Sequence, residues 1–341
     1  MRTRYLMAFL LTTGICFSQA PNKKAVGCIG CFSEPQSTLL FSPLSGDTDF
    51  GDVALVTPDG KFIVLQLPGR LEFHNSSPLA ISPTEDRVGA SLRFQFLGER
   101  VNCGSSEERW CDQYPKSTYK SVMGVYSVQD KTWKQYGDFC QVGLAAFSPD
   151  GKKLAFKVSG SPPCSTDADA NKKLMILDFE TGQMTPVPGA ESIDYVYRLS
   201  WSPDGKFLAA TDGRGCGKSV CGHIVLVDIA TGEMKTIVEG TDPSWSSKGD
   251  WIAYSLGVQC MIIHPDGTGA RSVLEKEHKW MNYALNAPIV WSPDGERLLL
   301  NQQQIFGDHL RVIMVDLATG HAVMKSKNGE VVMGWVPYSG K

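Results

Sequence analysis

The sequence lacks an excess of charge of either sign: its 341 residues include 33 Lys and Arg against 36 Asp and Glu, a formal net charge of -3 at pH 7. A nucleic-acid-binding surface needs a clear basic excess, so no nucleic-acid partner is expected. The sequence also lacks the 3.6-residue apolar period of a long amphipathic helix, which argues against an α/β domain. No run beyond residue 20 reaches the length of a transmembrane segment, so none is predicted.

The first 20 residues have the pattern of a secretory signal peptide. Arg2 and Arg4 supply a positive start, residues 6–17 form a short apolar stretch, and residues 18–20 read Ser-Gln-Ala, a small-x-small cleavage site. The sequence therefore predicts an exported protein, periplasmic or extracellular, for which the cell envelope is a plausible place of association.

Five segments share an apolar strand, a tight turn and a second strand. The turn reads Ser-Pro-Asp-Gly or a variant of it, in which Pro fixes φ, Asp hydrogen-bonds locally and Gly accepts a positive φ. Each segment predicts a β-hairpin. The five hairpins of this first kind cover residues 79–94, 144–158, 199–211, 243–255 and 289–301.

Six further hairpins alternate with these and turn at Asp-Gly, Thr-Gly or similar pairs. They cover residues 53–67, 122–136, 174–187, 224–238, 261–274 and 312–324. Six hairpins of the second kind against five of the first leave one partner missing. The two ends supply it, because residues 331–337 resemble a first strand and residues 38–43 a second strand.

Four-stranded units that recur every 40 to 50 residues are typical of a β-propeller. From Ser202 to Ser246 is 44 residues, and from Ser246 to Ser292 is 46. We therefore predict an all-β fold, a six-bladed β-propeller of four-stranded antiparallel blades, closed by N- and C-terminal strands that share one blade. The predicted divisions are a signal peptide (1–20), an N-terminal extension (21–37) and the propeller (38–337).

The Trp-Ser-Pro-Asp-Gly hairpin, followed by a hairpin of the form apolar-x-apolar-Asp-x-x-Thr-Gly, resembles the TolB-like, WD-repeat-like β-propeller family. The resemblance is clearest at residues 144–255 and 288–325. Similar propellers are attached to prolyl oligopeptidase-type enzymes. The sequence departs from both groups, because it has neither the α/β domain that precedes the TolB propeller nor a hydrolase domain. The resemblance therefore implies the fold, and TolB's role in outer-membrane integrity is not carried over.

The long connections of the predicted propeller fall on one face. With strands A to D in each blade, the A–B and C–D turns form a turn face, and the B–C and D–A connections form a loop face. Long loops on a rigid scaffold usually hold binding groups, which favours the loop face and the mouth of the central channel. The predicted B–C loops are 97–121, 159–173, 212–223 and 301–311, and the predicted D–A connections are 68–79, 138–143, 189–198, 239–243 and 275–288.

Aromatic and charged residues occur in or beside these loops. Because Trp, Tyr and Arg dominate the energetics of protein interfaces, we predict a protein or peptide partner at the loop face, with no catalytic residue, cofactor or metal. The alternative that the aromatic side chains only pack their own loops stays open. The predicted partner-binding residues are Trp110, Asp194, Tyr195, Tyr197, Arg198, Asp242, His278, Lys279, Trp280, Asn282, Tyr283 and Asn286.

Four tryptophans have a different interpretation. Trp201, Trp245, Trp291 and Trp335 recur at one position of the repeat, where the hairpin at 144 has Phe147. Recurrence at one position of every unit is typical of packing between blades and not of a binding surface.

Two other functions stay open. One is an enzyme with a channel active site, such as a polysaccharide lyase, cyclase or hydrolase, which requires His74, His278, Arg198 and acidic loop residues to converge. The other is a carbohydrate or cell-surface binding module. Residues 213–219 (GRGCGKS) join two strands instead of opening a helix, so no nucleotide site is predicted.

The ten cysteines predict disulfides in an exported chain. One of them, Cys16, falls in the signal peptide, which leaves an odd number. Cys260 is expected to be a buried thiol, and a redox pair or a zinc site at the Cys-Ile-Gly-Cys motif remains as the alternative. The predicted disulfide cysteines pair as Cys103 with Cys111, Cys140 with Cys164, Cys216 with Cys221 and Cys28 with Cys31.

Overall fold

The computed structural model describes residues 17–18, 26–27, 37–44, 47–56, 62–68, 79–95, 101–102, 110–111, 119–159, 172–190, 193, 198–213, 222–274, 283–304, 310–326 and 331–337. Within these ranges all regular structure is β-strand. In chain order the strands are β1 Phe17–Ser18, β2 Val26–Gly27, β3 Ser37–Leu44, β4 Asp47–Val56, β5 Phe62–Val64, β6 Leu79–Ile81, β7 Arg87–Gln95, β8 Val101–Asn102, β9 Trp110–Cys111, β10 Tyr119–Ser127, β11 Thr132–Phe139, β12 Gln141–Phe147, β13 Lys153–Ser159, β14 Lys172–Asp178, β15 Met184–Pro186, β16 Leu199–Trp201, β17 Phe207–Asp212, β18 His223–Asp228, β19 Met234–Glu239, β20 Thr241–Trp245, β21 Ile252–Leu256, β22 Gln259–Ile263, β23 Arg271–Ser272, β24 Tyr283–Trp291, β25 Arg297–Gln304, β26 Leu310–Asp316, β27 Ala322–Ser326 and β28 Val331–Val336.

Most strands belong to four-stranded antiparallel sheets arranged as a propeller. Five of these are blades built from one stretch of chain each: β6, β7, β10 and β11; β12 to β15; β16 to β19; β20 to β23; and β24 to β27. A further four-stranded sheet places β28 beside β3, β4 and β5. The short pairs β1–β2 and β8–β9 form separate two-stranded sheets.

The innermost strands close the ring. Going around the ring, each innermost strand contacts the innermost strand of the next sheet. The order is β6, β12, β16, β20, β24 and β28, and β28 contacts β6 again. The prediction of six blades is corrected. The structure has five blades that are each continuous in sequence, and the sheet that closes the ring is assembled from the two ends of the propeller. Pairing the ends in one sheet removes two exposed sheet edges.

The first hairpin of each blade is held by its own turn residues. At 148–151, Ser148 Oγ donates to Asp150 Oδ1 at 2.6 Å and accepts from the backbone N–H of Lys153 at 2.8 Å. Gly151 has a φ of 69°, which returns the chain. Ser202 and Asp204 repeat the first of these contacts at 2.6 Å. The Ser-Pro-Asp-Gly pattern therefore specifies the turn through hydrogen bonds that stay inside the hairpin.

The recurring tryptophans join neighbouring sheets, as their spacing predicts. Trp201 Nε1 donates to the carbonyl of Ala146 at 2.9 Å, and Trp291 Nε1 donates to that of Ser244 at 2.8 Å. Both indoles are buried and belong to hydrophobic clusters that span two sheets. The interpretation as packing between blades is confirmed for Trp201, Trp291 and Trp335, whose Nε1 donates to the carbonyl of Trp291 at 2.8 Å. Trp245 Nε1 instead donates to the carbonyl of Gly249 in its own turn at 3.3 Å.

Several predicted loop boundaries are wrong because strands extend further than the hairpin pattern indicates. The D–A connections predicted at 138–143 and 239–243 each shrink to one residue, Cys140 and Gly240. Segment 275–288 contains the start of β24, so Tyr283 and Asn286 lie in a strand. Their partners in β25 are Gln304 and Asn301, which extend that hairpin into the segment predicted as the loop 301–311.

Candidate functional site

A central cavity of about 560 Å³ runs along the axis of the ring, lined by the innermost strand of every four-stranded sheet. The residue just before the aromatic position is small in most strands, which leaves room along the axis. These lining residues are Ala80, Ala146, Ser200, Ser244, Val290 and Gly334.

The two ends of this channel differ. At the turn face the lining consists of first-hairpin turn residues, namely Pro83, Pro149, Pro203, Pro293 and Ser247. At the loop face, where the chain enters each innermost strand, the lining includes Arg198. Among the described lining residues, Arg198 is the only charged one. The channel therefore carries its charge at the face on which the sequence predicts binding.

The guanidinium of Arg198 is buried without full hydrogen bonding. Its Nη1 atom is inaccessible to solvent and has no hydrogen-bond partner among the described residues. Burial lowers the pKa of Arg198 to about 10, while the nearby Asp242 carboxylate acts in the opposite direction. Arg198 still carries its charge at neutral pH, so the channel holds a positive charge whose donors are not all used.

Asp242 is held in place by its own backbone. Its φ is 55°, an uncommon value for a residue other than glycine. A bulge between Thr241 and Ser244 interrupts the pairing of β20 with β21 at this point. The backbone N–H of Asp242 donates to Thr211 Oγ1 of the neighbouring sheet at 3.0 Å. These contacts fix the carboxylate beside Arg198.

Burial dominates the ionisation of Asp242 and raises its pKa above the ordinary value. The charge of Arg198 and the Thr241 hydroxyl, which donates to Asp242 Oδ2 at 3.0 Å, lower the pKa but do not reverse that direction. Arg198 and Asp242 therefore lie in a poorly solvated place, where burial disfavours the charged form of each and their mutual attraction favours it.

Gly240 is the single residue between β19 and β20, and it allows the chain to pass directly from one strand to the next. Its φ is 150°, and a Cβ at this position would lie 2.8 Å from the carbonyl oxygen of Ser255 and 2.5 Å from Tyr254 Cδ2. Its N–H donates to the carbonyl of Gly222 at 2.7 Å. Asp242 follows two residues later, so this close approach of backbones also positions the carboxylate.

Arg198 and Asp242 occupy the same position of the repeat. Each lies three residues before the tryptophan of its strand, Trp201 and Trp245. The equivalent residues in other sheets are apolar, namely Leu144, Pro288 and Val332. Aligning the repeats on tryptophan is thus the sequence signal that distinguishes this adjacent pair from the scaffold.

Arg198 and Asp242 are the two predicted binding residues whose side chains the structure describes, and it brings them near each other. Trp110 lies in β9, opposite Asn102, and Tyr283 and Asn286 lie in β24. The remaining predicted binding residues lie outside the described part of the chain: Asp194, Tyr195, Tyr197, His278, Lys279, Trp280 and Asn282.

Asn301 is a residue that the sequence analysis missed by assigning it to a loop. It is buried, and its Nδ2 donates to the carbonyls of Pro288 at 2.7 Å and Val332 at 2.9 Å. Its Oδ1 accepts from the backbone N–H of Val332 at 2.8 Å. Asn301 therefore fixes the bulge in β24 against β28. This bulge contains Pro288, which occupies the repeat position equivalent to Arg198. A single Asn after an apolar strand gives no signal of this role.

Three cysteines lie in the described ranges. Cys140 is disulfide-bonded, and its predicted pairing with Cys164 involves a residue outside the described ranges. Cys260 is free and buried, as expected, and burial raises its pKa well above the ordinary value. Cys111 lies in β9. The predictions for the other cysteines stay open, because these residues lie outside the described ranges: Cys28, Cys31, Cys103, Cys216 and Cys221.

Within the described ranges, no group of three or more His, Cys, Asp or Glu side chains is arranged to hold a metal ion. His74 and His278, on which the channel-enzyme alternative depends, are not among these residues. In the same part of the chain, no helix has the length and apolar character needed to cross a membrane.

The fold resembles solved TolB structures. TolB from Acinetobacter baumannii superposes with a TM-score of 0.60 at 16% identity, covering 91% of this chain and 68% of that one. The putative TolB from Agrobacterium tumefaciens gives a TM-score of 0.53 at 14% identity, covering 88% and 91% of the two chains. No protein-family model matches the sequence. No curated protein matches it either. In fold, the chain is a TolB-like β-propeller.

Proposed function

We propose that this protein is an exported, non-catalytic scaffold that binds a protein or peptide at its loop face and at the adjoining mouth of the channel. The observation that carries the proposal is the asymmetry of the channel. Its turn-face end is built from repeated turn residues, whereas its loop-face end is lined by the half-buried Arg198, with the Asp242 carboxylate nearby.

The composition of the channel supports binding in preference to catalysis. Its lining combines small residues with buried aromatic and aliphatic ones, a surface that suits an inserted side chain or peptide segment. Ser200 Oγ already accepts from the backbone N–H of Trp245 at 2.8 Å, so it is engaged in the scaffold. An Arg and an Asp supply recognition of a charged group.

The experiment compares the two mouths of the same channel by photo-cross-linking. A benzophenone amino acid replaces Trp280 or Tyr283, both predicted to lie at the loop face, and in a matched protein it replaces Ser247 at the turn-face mouth. After illumination in the native exported fraction, we expect the Trp280 and Tyr283 proteins to capture the same partner. The Ser247 protein should capture none.

A second arm uses the Trp280→Ala, Tyr283→Ala double variant in a pull-down from the same fraction. Loss of the cross-linked partner supports the loop face. Retention of that partner, or its capture from position 247 instead, would show that the binding face is wrongly assigned.

A further inference from the structure

A cavity between two neighbouring blades, on the turn face, plays no part in the proposed function. It encloses about 710 Å³ between the blade of β16 to β19 and the blade of β20 to β23, a volume typical of small-molecule sites. Pro203 and Trp245 lie between it and the central channel, because they line both. We call it the interblade groove, and its apolar lining is Pro203, Phe207, Leu226, Trp245 and Pro265.

Trp245 reaches this groove because it departs from the repeat. Trp201 and Trp291 are 8% and 7% exposed, and each donates its Nε1 hydrogen to a carbonyl of the preceding sheet. Trp245 is only half-buried, and its Nε1 donates to Gly249 in its own turn at 3.3 Å. Part of its ring is therefore accessible from the groove.

The rim of the groove carries more acid than base. Four carboxylates line it against two ammonium groups, and both ammonium groups are already engaged. Lys248 Nζ lies 3.2 Å from Glu296 Oε1, and Lys235 Nζ donates to the carbonyl of Asp266 at 3.4 Å. The carboxylates come from both blades, with Asp204, Asp228 and Glu233 on one side and Asp266 on the other.

Two of these aspartates use only one carboxylate oxygen in their turns. Asp228 Oδ1 accepts from the backbone N–H groups of Ala230 and Thr231, both at 2.9 Å, and Asp266 Oδ1 accepts from the hydroxyl and N–H of Thr268 at 2.7 and 2.8 Å. The hydrogen bonds from Thr231 and Thr268 lower the pKa of the two carboxyl groups, so both are ionised at neutral pH. Oδ2 of each accepts no hydrogen bond from the described residues and is available to a ligand.

These oxygens select the chemistry of the ligand. Both lysines, the Ser202 hydroxyl and the Trp245 indole N–H already donate to protein groups. Among the described lining, the polar side-chain atoms without a hydrogen bond are therefore carboxylate oxygens, which only accept. A sugar or a peptide brings acceptors that would stay unmatched, whereas a protonated amine only donates.

The arrangement of the charges favours an extended cation over a metal ion. Within the described ranges no three acidic, His or Cys side chains converge as metal ligands. The carboxylates instead stand on both walls of a groove whose floor is apolar and aromatic. Ammonium groups are attracted to the face of a tryptophan, and methylene segments suit contacts with Phe207 and Leu226.

We propose that the interblade groove binds a linear polyamine, a chain of methylene segments and protonated amines, with Trp245 against one cationic group and the carboxylates of Asp228 and Asp266 holding others. This site goes beyond the proposed function and does not depend on it, because it lies on the opposite face from the predicted partner.

Isothermal titration calorimetry with spermidine as the probe tests the site on the full chain. We expect saturable binding to the wild-type protein. The double variant Asp228→Asn, Asp266→Asn should weaken it about 10-fold, because two charges are lost while each Asn Oδ1 still accepts the hydrogen bonds of its turn.

The matched control is the double variant Asp178→Asn, Asp316→Asn. Both residues hold turns of the same form, with Oδ1 accepting from Thr181 and Thr319, but neither lines the groove. The same two charges are lost, so this variant should bind spermidine with wild-type affinity.

A second measurement reports on Trp245. Trp245→Leu should weaken spermidine binding about 3- to 10-fold, and Trp245→Phe should weaken it less, because an aromatic face remains. Trp245 also packs against the hydrophobic cluster between these blades, so its role is read in the wild-type protein as well. Its indole N–H resonance, identified by its absence from Trp245→Phe, should shift as spermidine is added.

Equal affinity of the wild-type protein and the Asp228, Asp266 double variant overturns the inference, as does an equal loss in the control double variant. Displacement of spermidine by Mg²⁺ at matched ionic strength would reduce the effect to charge screening and also overturn it. Tighter binding of tetralysine through the same residues would assign the groove to a basic peptide instead. Absence of saturable binding or of a Trp245 shift removes the site, and the loop-face cross-link is unaffected by any of these results.

Discussion

The aspartates of the turn face and the aspartate of the channel have opposite environments. Asp150 and Asp204 lie in the first-hairpin turns, where hydrogen bonds from Ser148 and Ser202 are the largest influence and lower their pKa values. Asp242 lies at the loop end of the channel, where burial raises its pKa. The same side chain thus completes the turn in one region and is poorly solvated in the other.

This difference separates scaffold from site. Within its turn, Asp150 Oδ1 accepts from the Ser148 hydroxyl and from the backbone N–H of Lys152, so the residue adds to the stability of its own hairpin. Around Arg198 and Asp242, three features depart from regular local structure. Asp242 has a positive φ, β20 has a bulge, and a guanidinium nitrogen of Arg198 has no hydrogen bond among the described residues. Departures from local consistency that fall at one place are typical of functional sites.

The largest effect is expected from breaking the scaffold itself. Trp291→Ala removes a side chain that is only 7% exposed, together with its hydrogen bond to Ser244. Because this leaves a cavity between two sheets, we expect the free energy of unfolding in urea to fall by about 3 to 5 kcal/mol. Val323→Ala, on the outer strand β27 and 41% exposed, is the matched control. A loss below about 1 kcal/mol for Trp291→Ala would mean that this tryptophan does not hold the sheets together.

A smaller effect is expected from two glycine substitutions, one beside the channel and one in a turn. Gly240→Ala places a methyl group against Ser255 and Tyr254 beside the channel pair, and we expect a loss of about 2 to 3 kcal/mol in urea unfolding. Gly182→Ala in a turn has a φ of 71° but open space around it, so only backbone strain of about 1 kcal/mol should appear. Equal losses would show that the entry into β20 is no tighter than an ordinary turn.

The channel pair should show coupling of about 1 to 3 kcal/mol in a double-mutant cycle. Arg198→Met leaves the Asp242 carboxylate without the attraction of Arg198, so this variant should lose stability. Asp242→Asn removes that attraction but also removes a carboxylate whose ionised form is disfavoured by burial, so its loss should be smaller. The double variant should be as stable as the wild-type protein, or more so by about 2 kcal/mol.

The same cycle on Lys248 and Glu296, an exposed turn-face ion pair at 3.2 Å, should give coupling below about 0.5 kcal/mol. Urea unfolding of all variants supplies the measurement. Additive effects at Arg198 and Asp242 would show that the two charges act independently.

Much of the fold follows from the sequence because the repeated turns are local. Ser148, Asp150 and Gly151 interact within a few residues, so a pattern in the chain specifies the hairpin and its spacing specifies the propeller. The positions of strand ends were less predictable. Cys140 and Gly240 show that neighbouring strands continue almost to each other, which depends on how far each strand pairs within its own sheet.

The site was only partly predictable. Arg198 and Asp242 are among the predicted binding residues, and aligning the repeats on tryptophan places them at one repeat position, but only the closed ring shows that the two side chains lie near each other. Asn301 and Thr211 were missed because their partners lie 31 residues away in sequence. Such contacts are set by the closure of the ring and by the bulges of its inner strands.

The smallest effect is a difference of sign in the dependence of stability on pH. Asp204 has a lowered pKa in the folded state, so its contribution is present above about pH 4 and is lost as pH falls through the folded pKa. Asp242 has a raised pKa, so its unfavourable contribution is relieved as pH falls from the folded pKa toward about 4. Relative to Asp204→Asn, the wild-type protein should therefore lose stability on acidification, and relative to Asp242→Asn it should gain. Urea unfolding between pH 3.5 and 7 measures both differences, and slopes of the same sign would abolish the distinction between turn and channel aspartates.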